Sequence, residues 1–218
     1  MNITAQEQNK FVIYDNILSQ EEYSRFWTYT QKEHYVPAKS GGWNKVWRLE
    51  DGEPLVSKMQ RHTEGPFEDD MEVVRANVMA IAERHPELVG DYKDVTFRNY
   101  LYGRGSRISW HNDPGYNAAC IFYTHQEWSP FWGGELMLAD LPDLQQLPKE
   151  VIEGVASDDD LEKKWVGRLL NIWGVGRYIT PLPNRMVLTK GDVWHATSRV
   201  DPSAGDHLRT SVVCFFEQ

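Results

Sequence analysis

The stretch from 110 to 124 decides the fold prediction, and it reads Trp-His-Asn-Asp-Pro-Gly-Tyr-Asn-Ala-Ala-Cys-Ile-Phe-Tyr-Thr. Its second half, Ala118–Thr124, is apolar enough to predict a buried strand. Just before it, His111 and Asp113 lie two residues apart in a segment that we expect to be extended. Residues two apart in extended backbone face the same side, so both side chains can point into one cavity. The stretch therefore predicts a β structure that presents two metal-binding groups on one face.

Further short strands are predicted on both sides of this stretch. Turn residues at 103–105, 133–134, 190–192 and 201–206 separate them. The predicted strands are Val95–Tyr102, Ala118–Thr124, Glu135–Leu138, Arg185–Thr189, Asp192–Ala196 and Arg209–Phe216. Many short strands joined by such turns are typical of a double-sheet jelly roll.

The first part of the chain has a different pattern. Phe11–Asp15 predicts a short strand. Ser19 and Glu22 have the spacing of a capping box, which predicts where a helix begins. Apolar residues at helical spacing predict a second helix from about Glu68 to Arg84.

Helices followed by strands favour the α+β class. We predict one domain over residues 1–218, with a strand and helices in 1–94 packed on one sheet of a double-stranded β-helix (jelly roll) in 95–218. A segment at about 140–180 is too long for a hairpin loop. The sequence from Ser157 to Leu169 reads as a capped helix inserted there. A lid, an oligomer contact and simple padding all stay open as its role.

Composition bounds the class of protein. With 41% apolar and 25% charged residues, the 218-residue chain is typical of a globular protein. The formal net charge of -9, without a basic stretch, argues against a nucleic-acid partner. No run approaches the roughly 20 apolar residues of a membrane helix, and Met1–Gln6 shows no secretory signal. Cys120 and Cys214 have apolar neighbours, which favours buried reduced thiols. We expect a cytoplasmic protein; no pattern indicates its oligomeric state.

A third metal ligand would have to come from a distant histidine. His195 is favoured because it lies on its own predicted strand. His125 competes but falls at the end of its strand, and His207 competes but follows a turn directly and lies close to Arg209. The histidines interpreted as ordinary surface or core residues are His34, His62 and His85.

This donor set has a definite chemistry. Two imidazoles and one carboxylate on one face of a metal leave coordination positions open, as in non-haem Fe(II) oxygenases. Arg209 follows His195 by fourteen residues. A guanidinium there suits the far carboxylate of a dicarboxylate cosubstrate.

Six short motifs in order resemble a known family. Over about the last 120 residues the chain is similar to the Fe(II)- and 2-oxoglutarate-dependent oxygenases of the prolyl-hydroxylase-like type. The motifs are Tyr102–Gly105, His111–Asp113, Ile121–Tyr123, Gly133–Leu136, Gly191–His195 and Arg209–Ser211.

The resemblance implies a role for each matching residue. His111, Asp113 and His195 would bind Fe(II), and Arg209 would bind the C5 carboxylate of 2-oxoglutarate. The other implied cosubstrate-binding residues are Ser211, Tyr123 and Tyr102. The glycine pair at 133–134 would allow a close approach of strands.

The resemblance also implies an activity. With Fe(II), 2-oxoglutarate and O2, and ascorbate as a supporting reductant, the chain would hydroxylate an unactivated C–H bond and release succinate and CO2. A carboxylate at Asp113 favours hydroxylation over halogenation, while desaturation and ring formation stay open. A small molecule or an amino acid is the favoured substrate. The alternatives are a peptidyl hydroxylase acting on a partner polypeptide and a non-catalytic metal- or sugar-binding protein.

Four residues outside the motifs are predicted to contact the substrate. Trp43 and Trp47 lie between glycine-rich and charged residues and suit a substrate-facing loop. Arg107 and Asn117 have polar groups that suit a carboxylate or another polar group of the substrate.

Overall fold

The computed structural model describes residues 2–7, 10–38, 53–139 and 176–218. Over these ranges the chain is mostly β-sheet with few helices. The predicted inserted helix, and Trp43 and Trp47, lie outside the described residues.

The described strands are all short, with the longest at nine residues. They are β1 (Asn2–Glu7), β2 (Phe11–Asp15), β3 (Val36–Pro37), β4 (Leu55–Val56), β5 (Gln60–Arg61), β6 (Asp94–Tyr102), β7 (Ile108–His111), β8 (Tyr116–Tyr123), β9 (Leu136–Leu138), β10 (Arg177–Ile179), β11 (Arg185–Lys190), β12 (His195–Thr197) and β13 (Arg209–Glu217).

Helices precede most of these strands. The described helices are α1 (Gln20–Thr30), α2 (Asp69–Ala82) and α3 (Pro86–Val89), with single 3-10 turns at His62–Glu64 and Pro202–Ala204. Within the described ranges no helix is long and apolar enough to cross a membrane.

Helix α1 begins where the sequence predicts. The Ser19 hydroxyl accepts a hydrogen bond from the Glu22 N–H, and the Glu22 carboxylate accepts one from the Ser19 N–H. This reciprocal pair satisfies two backbone donors that a helix start leaves open. Helix α2 agrees with the predicted bounds to within two residues. Pro86 then starts α3, since a first helical turn tolerates a residue without an N–H.

The strands form two antiparallel sheets. The larger sheet has nine strands in the order β1-β2-β11-β8-β13-β6-β4-β3, with β5 also pairing with β6. The smaller sheet has the order β10-β9-β12-β7. Strands distant in sequence are thus neighbours, which brings the segments before 124 and after 185 together.

One face of the larger sheet packs against the helices. The ring of Phe122 on β8 lies 6.3 Å, between centroids, from each of the rings of Tyr23 and Phe26 on α1. Helix α2 adds Met71 and Ile81 to the same buried apolar cluster. This layer closes one side of the larger sheet against water.

The opposite face of the larger sheet turns toward the smaller sheet. Ile121 and Val187 of the larger sheet share a buried cluster with Leu136, Leu138 and Ile179 of the smaller one. Because side chains alternate along a strand, each strand of the larger sheet contributes to both layers.

Strand β12 differs from the prediction. The sequence predicts a strand over Asp192–Ala196, but the structure has His195–Thr197. The Val193 N–H donates to the Lys190 carbonyl at 3.3 Å. This turn keeps Asp192 out of the sheet, so the strand begins at His195 itself.

A hydrogen-bond cluster fastens α1 to the larger sheet. The Tyr23 hydroxyl donates to the His125 carbonyl at 2.5 Å and accepts from the Asn184 N–H at 3.1 Å. The Asn184 amide also bonds both backbone groups of Leu18, at 2.9 and 2.8 Å. Asn184 has φ +59, a left-handed conformation that asparagine tolerates well.

The two cysteines lie directly opposite each other on neighbouring strands. Cys214 of β13 pairs in register with Cys120 of β8. Both are fully buried, and both are free thiols, as the sequence predicts.

Candidate metal centre and cosubstrate pocket

The smaller sheet brings the two predicted histidine ligands together. His195 on β12 is the register partner of His111 on β7. Their rings lie 4.3 Å apart between centroids, and both side chains are buried. Asp113 lies two residues after the end of β7, and its N–H donates to the Gly191 carbonyl at 3.0 Å. The turn before β12 therefore fixes the backbone of Asp113.

The three side chains converge on one point. The Asp113 carboxylate lies 3.4 Å from Nε2 of His195 and 3.9 Å from Nε2 of His111. One ligand atom from each residue lies within 4.8 Å of the others. One ion with bonds of about 2 Å can contact all three after small side-chain adjustments. The donor set and its convergence fit Fe(II), as two imidazoles and one carboxylate do in open iron sites.

A backbone contact orients His195. Its Nδ1–H donates to the Val193 carbonyl at 2.9 Å. This bond leaves Nε2 without a proton, so Nε2 is the nitrogen that can bind a metal. Gly191 is required in the same turn, because a Cβ there would lie 2.1 Å from the Tyr116 carbonyl oxygen.

The competing histidines are engaged elsewhere. His125 is buried; its Nε2–H donates to the Pro181 carbonyl at 2.6 Å, and its Nδ1 accepts from the Thr210 N–H at 3.3 Å. Burial lowers the pKa of His125 to about 4. The ring of His207 stacks on Trp132 with 4.4 Å between centroids.

Arg209 lies at the start of β13 and is almost entirely buried, at 2% exposure. Its Nε–H donates to the Gly134 carbonyl at 2.6 Å. The guanidinium carbon lies 4.5 Å from the Tyr102 ring centre and 4.9 Å from the Tyr123 ring centre. A buried cation held by one carbonyl and two ring faces keeps donors for an anionic ligand.

Gly134 allows this arrangement. It has φ +72, and a Cβ there would lie 2.8 Å from Cδ of Arg209. The glycine is therefore needed both for its backbone conformation and for the close approach of Arg209.

Two buried hydroxyls lie near Arg209. Tyr123 Oη and Ser211 Oγ have no hydrogen-bond partner among the described residues. Burial raises the pKa of Tyr123, while the charge of Arg209 opposes that rise. Buried hydroxyls without a protein partner are what a site for a polar ligand needs.

A cavity of about 270 Å³ joins the metal-binding residues to Arg209. Its polar lining is His111, Asp113, His195, Arg209, Tyr102, Tyr100, Tyr116, Thr197 and Arg98. Ile121, Leu136 and Val213 are among its apolar lining residues. The predicted iron ligands thus share one space with Arg209 and Tyr102 between the two sheets, whereas Tyr123 and Ser211 are not among its lining residues.

Two of the predicted substrate residues, Asn117 and Arg107, lie within the described ranges but away from this cavity. The Asn117 amide donates to the Asp91 carbonyl at 2.5 Å, and neither Asn117 nor Arg107 lines the cavity within the described ranges. Arg98 and Tyr100 do line it, and sequence reasoning missed both. The signal was available, because they share the alternation of Tyr102 along β6.

The sequence matches the model of the 2OG-Fe(II) oxygenase superfamily over residues 95–217, more than half of the chain. The chain belongs to this superfamily. Its cofactors are accordingly Fe(II) and 2-oxoglutarate.

Solved structures share the fold at low sequence identity. A prolyl-4-hydroxylase of Pseudomonas putida has a TM-score of 0.61 and 14% identity, covering 96% of this chain and 92% of its own. A prolyl hydroxylase of Trichoplax adhaerens, solved with a hypoxia-inducible-factor peptide, has a TM-score of 0.63 and 15% identity, with coverages of 96% and 84%. The epimerase SnoN of nogalamycin biosynthesis, solved with Fe3+, α-ketoglutarate and nogalamycin RO, has a TM-score of 0.59 and 15% identity, with coverages of 97% and 80%. The search of the curated proteins finds no match.

Proposed function

We propose that this chain hydroxylates an unactivated C–H bond of a small molecule or free amino acid and releases succinate and CO2. The observation that carries the proposal is that His111, Asp113, His195 and Arg209 line one shared cavity. We further propose that the two sheets form a double-stranded β-helix and that residues 1–218 are one domain.

The metal-binding role belongs to His111, Asp113 and His195. The Asp113 carboxylate neutralises part of the ion's charge, and the bond from His195 to Val193 orients one imidazole. When bound, iron supplies the redox chemistry that couples decarboxylation of 2-oxoglutarate to oxidation of the C–H bond. The protein contributes binding, orientation and a dry space for this chemistry.

Arg209 is the proposed partner of the C5 carboxylate of 2-oxoglutarate. Its burial means that an anion arriving there gains a strong, weakly screened interaction. Tyr123 and Ser211 have buried hydroxyls close by in the sheet, and Tyr102 covers the guanidinium with its ring. These three residues would complete the cosubstrate contacts.

A peptidyl hydroxylase is the second candidate. The structural similarity to prolyl hydroxylases favours it. The size of the cavity, about 270 Å³, favours a small substrate instead.

The test is succinate formation by the purified chain with Fe(II), 2-oxoglutarate and O2. Replacing Asp113 with alanine should lower succinate formation and Fe(II) affinity more than roughly 100-fold, because a charged ligand is lost. Fe(II) affinity is measured by anaerobic titration. Asp192→Ala is the matched control, since that carboxylate is 73% exposed in a neighbouring turn. Equal Fe(II) affinity in the Asp113→Ala variant and the wild type would exclude the assigned ligand.

A further inference from the structure

A second guanidinium lines the same cavity as Arg209. Arg98 on β6 is the register partner of Val213 on β13, whereas Arg209 is the partner of Tyr102. The two arginines are therefore four residues apart along the paired strands, which is about 13 Å. A five-carbon diacid held by Arg209 and the metal-binding residues cannot also span this distance.

The contacts of Arg98 leave its charge available. Its Nε–H donates to the Ser57 carbonyl at 2.8 Å, which fixes the side chain against the segment before β5. Among the described residues, no carboxylate lies within ion-pair distance of its guanidinium. A half-buried guanidinium without an anionic partner forms a strongly favourable charge-assisted pair when an anion binds to it.

Tyr100 links Arg98 to the metal-binding residues. Burial raises the pKa of Tyr100 to about 12, the charge of Arg98 lowers it, and the charge of Asp113 raises it. Both charges thus lie close enough to act on one hydroxyl. A ligand that binds Arg98 through one group would therefore extend toward the metal-binding residues.

The space around Arg98 is mostly apolar. Val213, Phe215, Ala119 and Met59 line the cavity there, and the Tyr116 ring packs on Phe215 with 4.6 Å between centroids. A hydrocarbon segment fits against these walls, while a second charged group would find no further cation among them.

We infer that Arg98 binds a carboxylate of the substrate, and that the substrate is a small carboxylic acid or amino acid oxidised at a carbon remote from that carboxylate. The inference rests on the proposed function and narrows its substrate class. A planar carboxylate matches the guanidinium in a bidentate pair.

The experiment compares matched acids and amides as substrates of the iron-loaded protein. The pairs are hexanoate and hexanamide, L-leucine and L-leucinamide, and L-proline and L-prolinamide, with a proline-containing peptide as a further probe. At least one acid should raise succinate formation above the rate without substrate, and its amide should not. Arg98→Met should raise the KM for that acid roughly ten- to 100-fold over the wild-type value, as expected for loss of a charge-assisted pair. Its KM for 2-oxoglutarate should stay near the wild-type value.

Two variants control for structural effects. Arg98→Lys keeps the charge but not the planar fork, so the KM for the acid should fall between wild type and Arg98→Met. Lys93→Met removes an exposed charge just before β6 and should behave as the wild type. Anaerobic calorimetry of the same acid with the Fe(II)- and 2-oxoglutarate-loaded protein should show the same order of affinities without turnover.

The outcomes separate this inference from the proposed function. Succinate formation that no acid stimulates, stimulation by acids and amides alike, stimulation by the peptide alone, or a raised KM for 2-oxoglutarate in Arg98→Met would each overturn the role of Arg98. A wild-type protein that forms no succinate under any condition would overturn the proposed function. Acid binding by calorimetry that Arg98→Met abolishes would then still support the anion site.

Discussion

The two faces of the larger sheet are built from the same strands but have opposite chemistry. Along β13 the residues that face the helices are Val212, Cys214 and Phe216, and those that face the smaller sheet are Arg209, Ser211, Val213 and Phe215. From Val212 to Phe216 the helix face is apolar and buried, with Thr210 as a polar residue at its start, whereas the cavity face has a guanidinium and a hydroxyl at one end and apolar side chains at the other.

The comparison shows how one strand serves stability and chemistry separately. Alternation places every second side chain in the apolar layer, so packing there holds the backbone while the intervening positions are free to carry polar groups. Substitutions on the two faces should therefore affect different measurements.

The largest expected effect comes from the helix face. Phe122→Ala should lower the free energy of unfolding by about 3–5 kcal/mol, because it leaves a cavity between β8 and α1. Its KM for 2-oxoglutarate should stay near the wild-type value at a temperature where it is folded. Val213→Ala, on the cavity face, should cost under about 2 kcal/mol. Urea unfolding checks both values, and a similar loss from both variants would contradict the separation of the faces.

The next effect comes from the charged end of the cavity face. Arg209→Met should raise the KM for 2-oxoglutarate roughly ten- to 100-fold, because the buried cation that meets the C5 carboxylate is lost. Initial rates of succinate formation at varied 2-oxoglutarate measure the change. Arg104→Met is the control, since that arginine is 58% exposed. An unchanged KM would show that another group holds the cosubstrate.

The effect that is smallest at neutral pH concerns His125, which is as buried as the helix face but has both ring nitrogens hydrogen-bonded. Burial lowers its pKa to about 4, whereas an unfolded chain has a value near 6.5. Between these two values the unfolded state binds a proton that the folded state does not. The contribution of the neutral His125 to the free energy of unfolding is therefore fully present above about pH 6.5. It falls as the pH drops toward 4, by up to about 3 kcal/mol.

A variant without this imidazole sharpens the pH test. His125→Gln removes the titrating group, so the difference in unfolding free energy between wild type and variant should shrink as the pH falls from 7 to 4.5. Urea unfolding at several pH values provides the comparison. A difference that stays constant with pH would mean that His125 does not titrate in this range.

Much of the fold followed from local patterns. The strand Phe11–Asp15 and the cap at Ser19 were predicted correctly, because each depends on a few adjacent residues. Strand β1 was not predicted, since Ile3 and Ala5 are its only apolar residues and it lies at the edge of the sheet as a partner of β2. The two-residue strands β3, β4 and β5 depend on tertiary pairing and leave no periodic signal.

The parts of the site that consist of sequence motifs were predictable, whereas the parts that depend on backbone contacts were not. His111, Asp113 and His195 converge as the sequence suggests. The hydrogen bond from Arg209 to the Gly134 carbonyl depends on how two segments that are distant in sequence approach each other. No local sequence pattern encodes that approach. Asn117 was expected near the substrate, but the register shift at the Tyr116 end of β8 and the bond to Asp91 direct its amide elsewhere.

The insertion of β2 between β1 and β11 has a consequence for any attempt to isolate the segment that the family model matches. A truncated chain starting at Val95 would lack α1, α2 and β2, and the aromatic side chains of Phe97, Phe122 and Phe216 would meet solvent. Such a fragment would also present β11 as an unpaired edge, which invites self-association. Domain grafting and recombinant expression should therefore retain the first 94 residues.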